Sequence, residues 1–245
     1  MKTKLTLFVA VIVAALFGTG CSSFDSKNGL LAHWAFDSSM EDASGNDFHA
    51  AYVDGKEEEP SFGPDRNGVE RGALSLNGKT NLAKVDHQDR LVPKGGVTFS
   101  VWYWNTDTRG NCFAGLISSS DPGNAIGLRF GTEGSRYFGV WAFEESGEFK
   151  HFETNTQLKN EKWTHVTLSF DGLNRWAIFE NGVRKQEIIM PVKIKWVGFG
   201  ARGWRIGAMH RSTLEGSIDD VRIYNRALSA EEVKALYELE KPKAE

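Results

Sequence analysis

Residues 161–183 read EKWTHVTLSFDGLNRWAIFENGV, and two runs rich in β-branched and aromatic residues lie within them, at 163–170 and 176–180. Asn181-Gly182 follows the second run and precedes a further strand candidate at 183–186. Asn-Gly between two strands is the strongest short hairpin signal, because both residues tolerate a positive φ. This stretch therefore predicts antiparallel strands, with a tight turn at Asn181-Gly182.

Similar short runs recur along the whole chain, separated by clusters of Gly, Asn, Asp and Pro, and no internal repeat is found. Many short strands with turn residues between them are typical of an all-β fold, so we expect a two-sheet antiparallel β-sandwich. The predicted strands are 30–36, 73–76, 97–104, 125–130, 137–143, 149–154, 163–170, 176–180, 205–208 and 217–224.

One short C-terminal helix is predicted after the last strand. Ser229 is a good N-cap, and Glu232 three residues later completes a capping box. An apolar stripe at helical spacing follows, formed by Val233, Leu236, Tyr237 and Leu239.

The 161–172 and 176–183 segments resemble the W-x-H-V, D-G and Y-x-N-G core of laminin-G-like jelly-roll domains. Three other parts of the chain resemble further motifs of that family, in the right order. They are LLAHWAFD at 30–37 with DASGN at 42–46, FSVW at 99–102, and GSIDDVRIYNRALSAEEVKALY at 216–237. The resemblance implies a concanavalin A-like jelly roll over residues 29–238.

The N-terminus has the pattern of an export signal. Lys2 and Lys4 precede an apolar run at 5–17, which at about 13 residues is shorter than the roughly 20 that span a bilayer. The run ends in GTGCSS at 18–23, which resembles a bacterial lipoprotein processing site. We therefore expect a signal peptide at 1–21 with lipid on Cys21, and the alternative is an ordinary signal peptide cut near an unmodified cysteine.

These assignments predict an exported protein, lipid-anchored to a membrane of the cell envelope, with a secreted soluble form as the alternative. Residues 22–28 are then a tether, and 239–245 a frayed tail. If Cys21 carries lipid, Cys112 is the only remaining thiol, which excludes an intramolecular disulfide. The formal net charge is −3 without a basic cluster, so nothing favours nucleic acid as a partner.

The usual enzyme motifs are missing from the sequence. Sugar hydrolases of this sandwich type commonly carry Glu-x-Asp-x-x-Glu on one strand, and this chain has no Glu-x-Asp. It also has no Gly-x-Ser-x-Gly and no His-x-x-x-His. We therefore expect a non-catalytic cell-surface binding module for carbohydrate, with a protein-binding adhesion or envelope module as the alternative. A polysaccharide hydrolase or lyase is the less favoured third interpretation.

The resemblance also implies a structural calcium ion, held by an acid after the opening strand and by oxygens near the closing strand. The matching positions are Asp37, Asp42 and Asp219. Strand alternation places Asp219 on the same face as Val221 and Ile223, toward the core. The alternative is that Asp219 accepts hydrogen bonds from a neighbouring loop.

A carbohydrate ligand would bind on the concave sheet or at the loop rim. Strand alternation sets Arg129 and Trp141 away from their apolar neighbours, and His151 joins them. An indole with nearby polar groups suits a sugar ring. Trp196 and Trp204 lie in a Gly-rich stretch that reads as a loop, so they are further candidates. We expect Trp102 and Trp104 to pack in the core, and Trp163 to pack there or to support the hairpin.

Overall fold

The computed structural model describes residues 24–53, 59–108, 113–119, 128–195, 203–209 and 212–243. The predicted signal peptide, Cys21, Cys112 and Trp196 lie outside these ranges.

The described residues form short strands and one α-helix. The strands are β1 (Leu30–Trp34), β2 (Ala51–Val53), β3 (Phe62–Gly63), β4 (Ala73–Asn77), β5 (Leu82–Val85), β6 (Val97–Asn105), β7 (Phe113–Ser118), β8 (Leu128–Glu133), β9 (Tyr137–Phe143), β10 (Phe149–Gln157), β11 (Thr164–Phe170), β12 (Arg175–Glu180), β13 (Val183–Ile189), β14 (Trp204–Ile206), β15 (Ala208–Met209), β16 (Ser212–Thr213) and β17 (Glu215–Tyr224). The α-helix, α1 (Ala230–Glu240), closes the chain, and a 3₁₀ turn occupies Asp89–Leu91.

Two antiparallel sheets contain nearly all of these strands. Sheet A has the order β13-β12-β11-β6-β17-β4-β3, with β1 also paired to β17. Sheet B has the order β10-β9-β8-β7-β14-β5-β2, and β15 pairs with β16 separately. The inner faces of both sheets share one apolar core, so the predicted all-β sandwich with one short C-terminal helix is confirmed.

The hairpin predicted from Asn181-Gly182 is present. Glu180 pairs with Val183 across the turn, and both turn residues have positive φ, 50° and 75°. The amide N–H of His165 donates to the Asn181 side-chain oxygen (3.0 Å), and the Asn181 N–H donates back to the His165 carbonyl (2.9 Å). The turn is thus also tied to the neighbouring strand β11.

Strand alternation builds the core as the sequence pattern indicates. Phe99 and Tyr103 point inward from β6 in sheet A, and Phe130 and Val140 point inward from sheet B. The edge of Phe99 meets the Trp204 ring at 5.4 Å between centroids, which joins the two sheets across the core.

The closing strand β17 departs from regular alternation. Its pairing with β6 shifts register between Asp219 and Arg222, and Asp220 has φ of 45°, so a β-bulge adds one residue there. Asp219 is therefore opposite Trp102 rather than on the face of Val221. The expectation that Asp219 shares the core-facing side is wrong, because the bulge reverses the alternation within the strand.

The bulge directs charged residues to the outer face of sheet A, under α1. Arg66 donates to both Asp219 and Asp220, and Arg222 binds Asp220 and Glu240. We call these five residues the ion cluster. His33 adds a hydrogen bond to Asp220 (2.5 Å), and the Trp102 indole N–H donates to Glu240 (2.8 Å).

Burial shapes the protonation of these carboxyls. It raises the pKa of Glu240 to about 7, against the lowering effect of Arg222. Burial and the adjacent Asp220 also raise the pKa of Asp219. Burial would raise the pKa of Asp220 as well, but the hydrogen bond from His33 and the charges of Arg222 and Arg66 hold it well below its usual value.

Helix α1 lies on a stack of rings beside the ion cluster. Tyr237 stacks on Trp102 at 5.7 Å and on His165 at 5.9 Å between centroids. His165 is fully buried and hydrogen-bonded to the Ser100 hydroxyl at 2.6 Å. Burial lowers the pKa of His165 to about 3, so the imidazole is neutral at physiological pH.

The ends of the folded unit differ from the predicted boundaries. Phe24 already packs against the cluster under α1, and Arg226 donates to the Asn28 carbonyl, so the residues after 23 are not a free tether. Glu240 belongs to α1 and is 7% exposed, so the tail does not fray from 239.

The predicted capping box is present, with Ser229 and Glu232 bonded reciprocally. No helix within the described ranges has the length and apolar character needed to cross a membrane.

Replacing Arg66 by methionine should lower the free energy of unfolding by about 3–5 kcal/mol, because Asp219 and Asp220 would be buried beside each other without their shared cation. Denaturant unfolding of the full chain in mild detergent measures the change. Arg184→Met is the matched control, since Arg184 is 53% exposed in its pair with Glu187 and should change stability by less than about 1 kcal/mol. Equal losses in both variants would contradict this account.

Candidate functional site

Three of the sequence-predicted ligand residues meet on the outer face of sheet B. His151 on β10 is opposite Trp141 on β9, and Trp141 is opposite Arg129 on β8. Residues paired in this way have side chains on the same side of a sheet. Phe130 and Val140 alternate with them into the core, so the three side chains point outward.

The same register continues across the sheet. Arg129 is opposite Ser118 on β7, Ser118 is opposite Arg205 on β14, and Arg205 is opposite Lys84 on β5. We call this line of outward residues the sheet B row: His151, Trp141, Arg129, Ser118, Arg205 and Lys84. It contains an indole, an imidazole, a hydroxyl and three cationic side chains, and no carboxylate.

The indole of Trp141 is held in one orientation. Its ring stacks on the His151 ring with centroids 4.7 Å apart and planes 19° from parallel. A Cβ placed on Gly139 would lie 2.6 Å from the Trp141 ring, so the indole lies over the bare backbone of that glycine. Trp141 is only 8% exposed, whereas His151 is exposed, so the imidazole presents the accessible part of this pair.

Arg129 is also largely covered, at 7% exposure. Its guanidinium carbon lies 4.9 Å from the centroid of the Phe143 ring, a cation–π contact. Toward the other end of the row, Arg205 and Lys84 are partly exposed, and the Lys84 ammonium pairs with Asp86 at 2.7 Å. The row is therefore preorganised at its centre and accessible toward both ends.

Trp204 does not belong to this face. It begins strand β14, is 4% exposed and contacts Phe99 in the core. The prediction of an exposed loop aromatic is wrong for Trp204, because the Gly-rich stretch before it leads into a strand whose first residue points inward. Trp196 lies outside the described residues, so its placement stays a prediction.

Sequence reasoning missed Ser118, Arg205 and Lys84. Each lies on a short strand whose place in sheet B follows from long-range pairing, and β7, β14 and β5 are far apart in the sequence. Alternation within each run indicates which side chains point outward, but only the strand order shows that they form one row.

A family model of the concanavalin A-like lectin/glucanases superfamily matches residues 77–234, more than half of the chain. The chain belongs to this superfamily. A sequence comparison with curated proteins finds no match.

Solved structures share the concanavalin A-like fold with this chain. Domain 4 of AbnA, a GH43 extracellular arabinanase from Geobacillus stearothermophilus solved in complex with arabinotriose, aligns with TM-score 0.64 and 20% identity over 85% of this chain and 98% of that domain. The binding domain of Paraclostridial Mosquitocidal Protein 1 aligns with TM-score 0.66 and 15% identity over 86% of this chain and 52% of that one.

A third structure, the binding domain of botulinum neurotoxin DC in complex with rat synaptotagmin II, aligns with TM-score 0.65 and 14% identity over 88% of this chain and 52% of that one. The chain thus spans about half the length of the two toxin binding domains. At these identities the likeness shows the fold alone.

Two of the three residues expected as calcium ligands, Asp42 and Asp219, already bind other groups of the protein, and the third, Asp37, is exposed. The Asp42 carboxylate accepts hydrogen bonds from the backbone N–H groups of His33, Ser44 and Phe48, which lower its pKa against the effect of burial. Asp219 binds the Arg66 guanidinium. Within the described ranges, no group of three or more His, Cys, Asp or Glu is placed to hold a metal. A structural calcium ion at Asp37, Asp42 and Asp219 therefore stays a prediction.

Gly139→Ala should displace the Trp141 indole, because the added methyl group would occupy the position of its ring. We expect a stability loss of about 1–3 kcal/mol and a changed tryptophan fluorescence spectrum. Gly95→Ala is the matched control, since a Cβ at Gly95 meets nothing within 4 Å. If Gly139→Ala leaves both stability and fluorescence as in the control, the indole does not rest on this glycine.

Proposed function

We propose that the protein is a non-catalytic carbohydrate-binding module that contacts its ligand through the sheet B row. The observation that carries this proposal is the Trp141–His151 stack, with cationic side chains on the same row. Axial C–H groups of a sugar are weakly positive and favour the negative face of an aromatic ring. Hydroxyls at the edge of the sugar take hydrogen bonds from accessible side chains of the row, such as His151 and Arg205.

Preorganisation favours binding by this row. Trp141 is fixed between the Gly139 backbone and the His151 ring, and Arg129 is fixed against Phe143. Side chains that are already ordered lose little rotamer freedom when a ligand arrives, which leaves more of the contact energy for affinity. The exposed imidazole of His151 is the first surface that a ligand meets.

The placement of the perturbed carboxyls supports a non-catalytic assignment. Acids with raised pKa values are often catalytic, and Asp219 and Glu240 are such acids. Asp219 on β17 and Glu240 at the end of α1 are both buried on the outer side of the opposite sheet and are bonded to arginines. Glycoside hydrolysis needs two carboxyl groups on either side of the scissile bond, and the sheet B row has none.

The comparisons are consistent with a binding role. The AbnA domain was solved with arabinotriose, and the botulinum neurotoxin domain with synaptotagmin II. Arabino-oligosaccharides are therefore a reasonable first probe. A protein partner is the alternative, and failure of the wild-type chain to bind any of these glycans would favour it.

Trp141→Ala and His151→Ala should each weaken glycan binding by about tenfold or more, because each removes one ring of the stack. Affinity electrophoresis and calorimetry against arabinan, xylan, soluble β-glucan and their trisaccharides measure the effect. Tyr137→Ala is the matched control, since Tyr137 is an exposed aromatic on the same strand, two residues beyond Gly139. Unchanged retention of both variants on every glycan that the wild-type chain binds would remove the row from the proposed site.

We further propose that the protein is exported and anchored to a membrane through lipid on Cys21. The support is the apolar run at 5–17 followed by GTGCSS. More than one acyl chain is needed for a stable anchor, because each buried methylene contributes only about 0.8 kcal/mol. The binding module would then face outward from a membrane surface.

Cys21→Ala should move the protein from the detergent phase to the aqueous phase in a detergent-partition assay, because the variant lacks the thiol that carries lipid. Cys112→Ala, the other cysteine of the chain, is the control and should stay in the detergent phase. If the Cys21→Ala variant stays in the detergent phase like the wild-type chain, the protein is not anchored through this residue.

A further inference from the structure

Two tryptophans outside the sheet B row line a pocket on the other side of the molecule. Trp104 and Trp163 are both partly exposed, and their ring centroids are 6.2 Å apart with planes 58° from parallel. With Pro64, Asp65 and Ser217 they enclose about 360 Å³. Sites for small molecules begin at about 300 Å³, so the pocket is large enough for a sugar residue.

Strand register assembles the pocket. Trp104 on β6 is opposite Ser217 on β17, and Trp163 immediately precedes β11, the other neighbour of β6. A Cβ on Gly216 would lie 1.9 Å from the Trp104 carbonyl oxygen, so only glycine lets β17 approach here. The close approach puts the Ser217 hydroxyl beside the indole of Trp104.

The wall of the pocket is also fixed. The Asp65 carboxylate accepts hydrogen bonds from the backbone N–H groups of Asn67 and Val69, both at 2.8 Å, which anchors the loop that follows Pro64. The next residue, Arg66, enters the ion cluster. Pro64 and Asp65 are thus held between an anchored turn and a buried ion pair.

Trp102 shows what a tryptophan on this face does when it is structural. It is 2% exposed, stacks under Tyr237 and donates its indole N–H to Glu240. Trp104 is two residues further along the same face and is partly exposed. The expectation that Trp104 packs in the core is therefore wrong, because alternation directs it outward, and Trp163, which precedes β11, lies beside it rather than in the core.

We propose that this pocket is a second carbohydrate site, for a neutral sugar unit of a polysaccharide. Two indoles supply apolar faces for the C–H surface of the ring, and Ser217 and Asp65 supply polar atoms for its hydroxyls. Asp65 is the only charged residue in the lining, which disfavours acidic sugars. The inference rests on the proposed function, since it assigns the same class of ligand to a different surface.

The two sites face opposite directions. Tyr103 points into the core from sheet A, so its neighbour Trp104 points out of that sheet. Val140 points into the core from sheet B, so Trp141 points out of the other sheet. A sandwich with a site on each outer face can hold two polysaccharide chains at once, and it would cross-link them rather than only coat one.

Calorimetry of the full chain in mild detergent with arabinotriose, xylotriose and a β-glucan trisaccharide tests the second site. The double variant Trp104→Ala/Trp163→Ala should lose one of two binding sites, or weaken binding there about tenfold or more, because both stacking rings are removed. Leu173→Ala, at another highly exposed apolar side chain, is the control. Thermal unfolding of each variant confirms that it is folded, and Trp104→Phe/Trp163→Phe, which retains aromatic faces, should restore part of the binding.

Light scattering with soluble arabinan, xylan and β-glucan tests cross-linking. The wild-type chain should enlarge the particles of the polymer that it binds, and either the Trp104/Trp163 variant or the Trp141→Ala variant alone should not. Loss of binding only in Trp141→Ala overturns the second site and leaves the proposed function intact. Loss of glycan binding only in the Trp104→Ala/Trp163→Ala variant supports the second site and contradicts binding at the sheet B row. Absence of glycan binding by the wild-type chain overturns both.

Discussion

The bulge at Asp219–Asp220 is the constraint on which sheet A depends. Strand β17 pairs with β6 along its length, with β4 through its first half and with β1 through its second half. In a strand of regular alternation, Asp219 and Arg222 are three residues apart and would lie on opposite faces, so one of them would face the core. With the bulge, Ile218, Val221 and Ile223 all enter the core, and the charged residues collect on the outer face.

Charged groups are buried on the outer face of sheet A, and ion pairs offset the cost of burying them. Burying three carboxyls is unfavourable unless each is paired, and the two guanidinium groups of the ion cluster supply those partners. The rings of Trp102, His165 and Tyr237 exclude water around them. The strongly shifted pKa values of His165 and Glu240 follow from burial between sheet A and α1.

Features that depend on neighbouring residues could be predicted from the sequence. Features that depend on the pairing of distant strands could not. The Asn181-Gly182 hairpin and the Ser229 capping box depend on neighbouring residues, so the sequence alone was sufficient for them. Asp219 was misplaced because its face was taken from Val221 and Ile223 alone, whereas Ile218, three residues before Val221, also enters the core, a spacing that requires a bulge. Trp204 was misplaced because glycines before a strand look like a loop. For the site, alternation identified Trp141 and Arg129, but the partners on β7, β14 and β5 required the strand order.

The length of α1 connects the ion cluster with the pocket at Trp104. Glu240 is the last residue of the helix, and it is held from two sides, by the indole of Trp102 and by Arg222. Tyr237 and Glu240 of α1 contact Trp102, which is 2% exposed, whereas Trp104, two residues further along β6, is partly exposed. The same contacts that stabilise the helix therefore set the boundary of the second proposed binding surface.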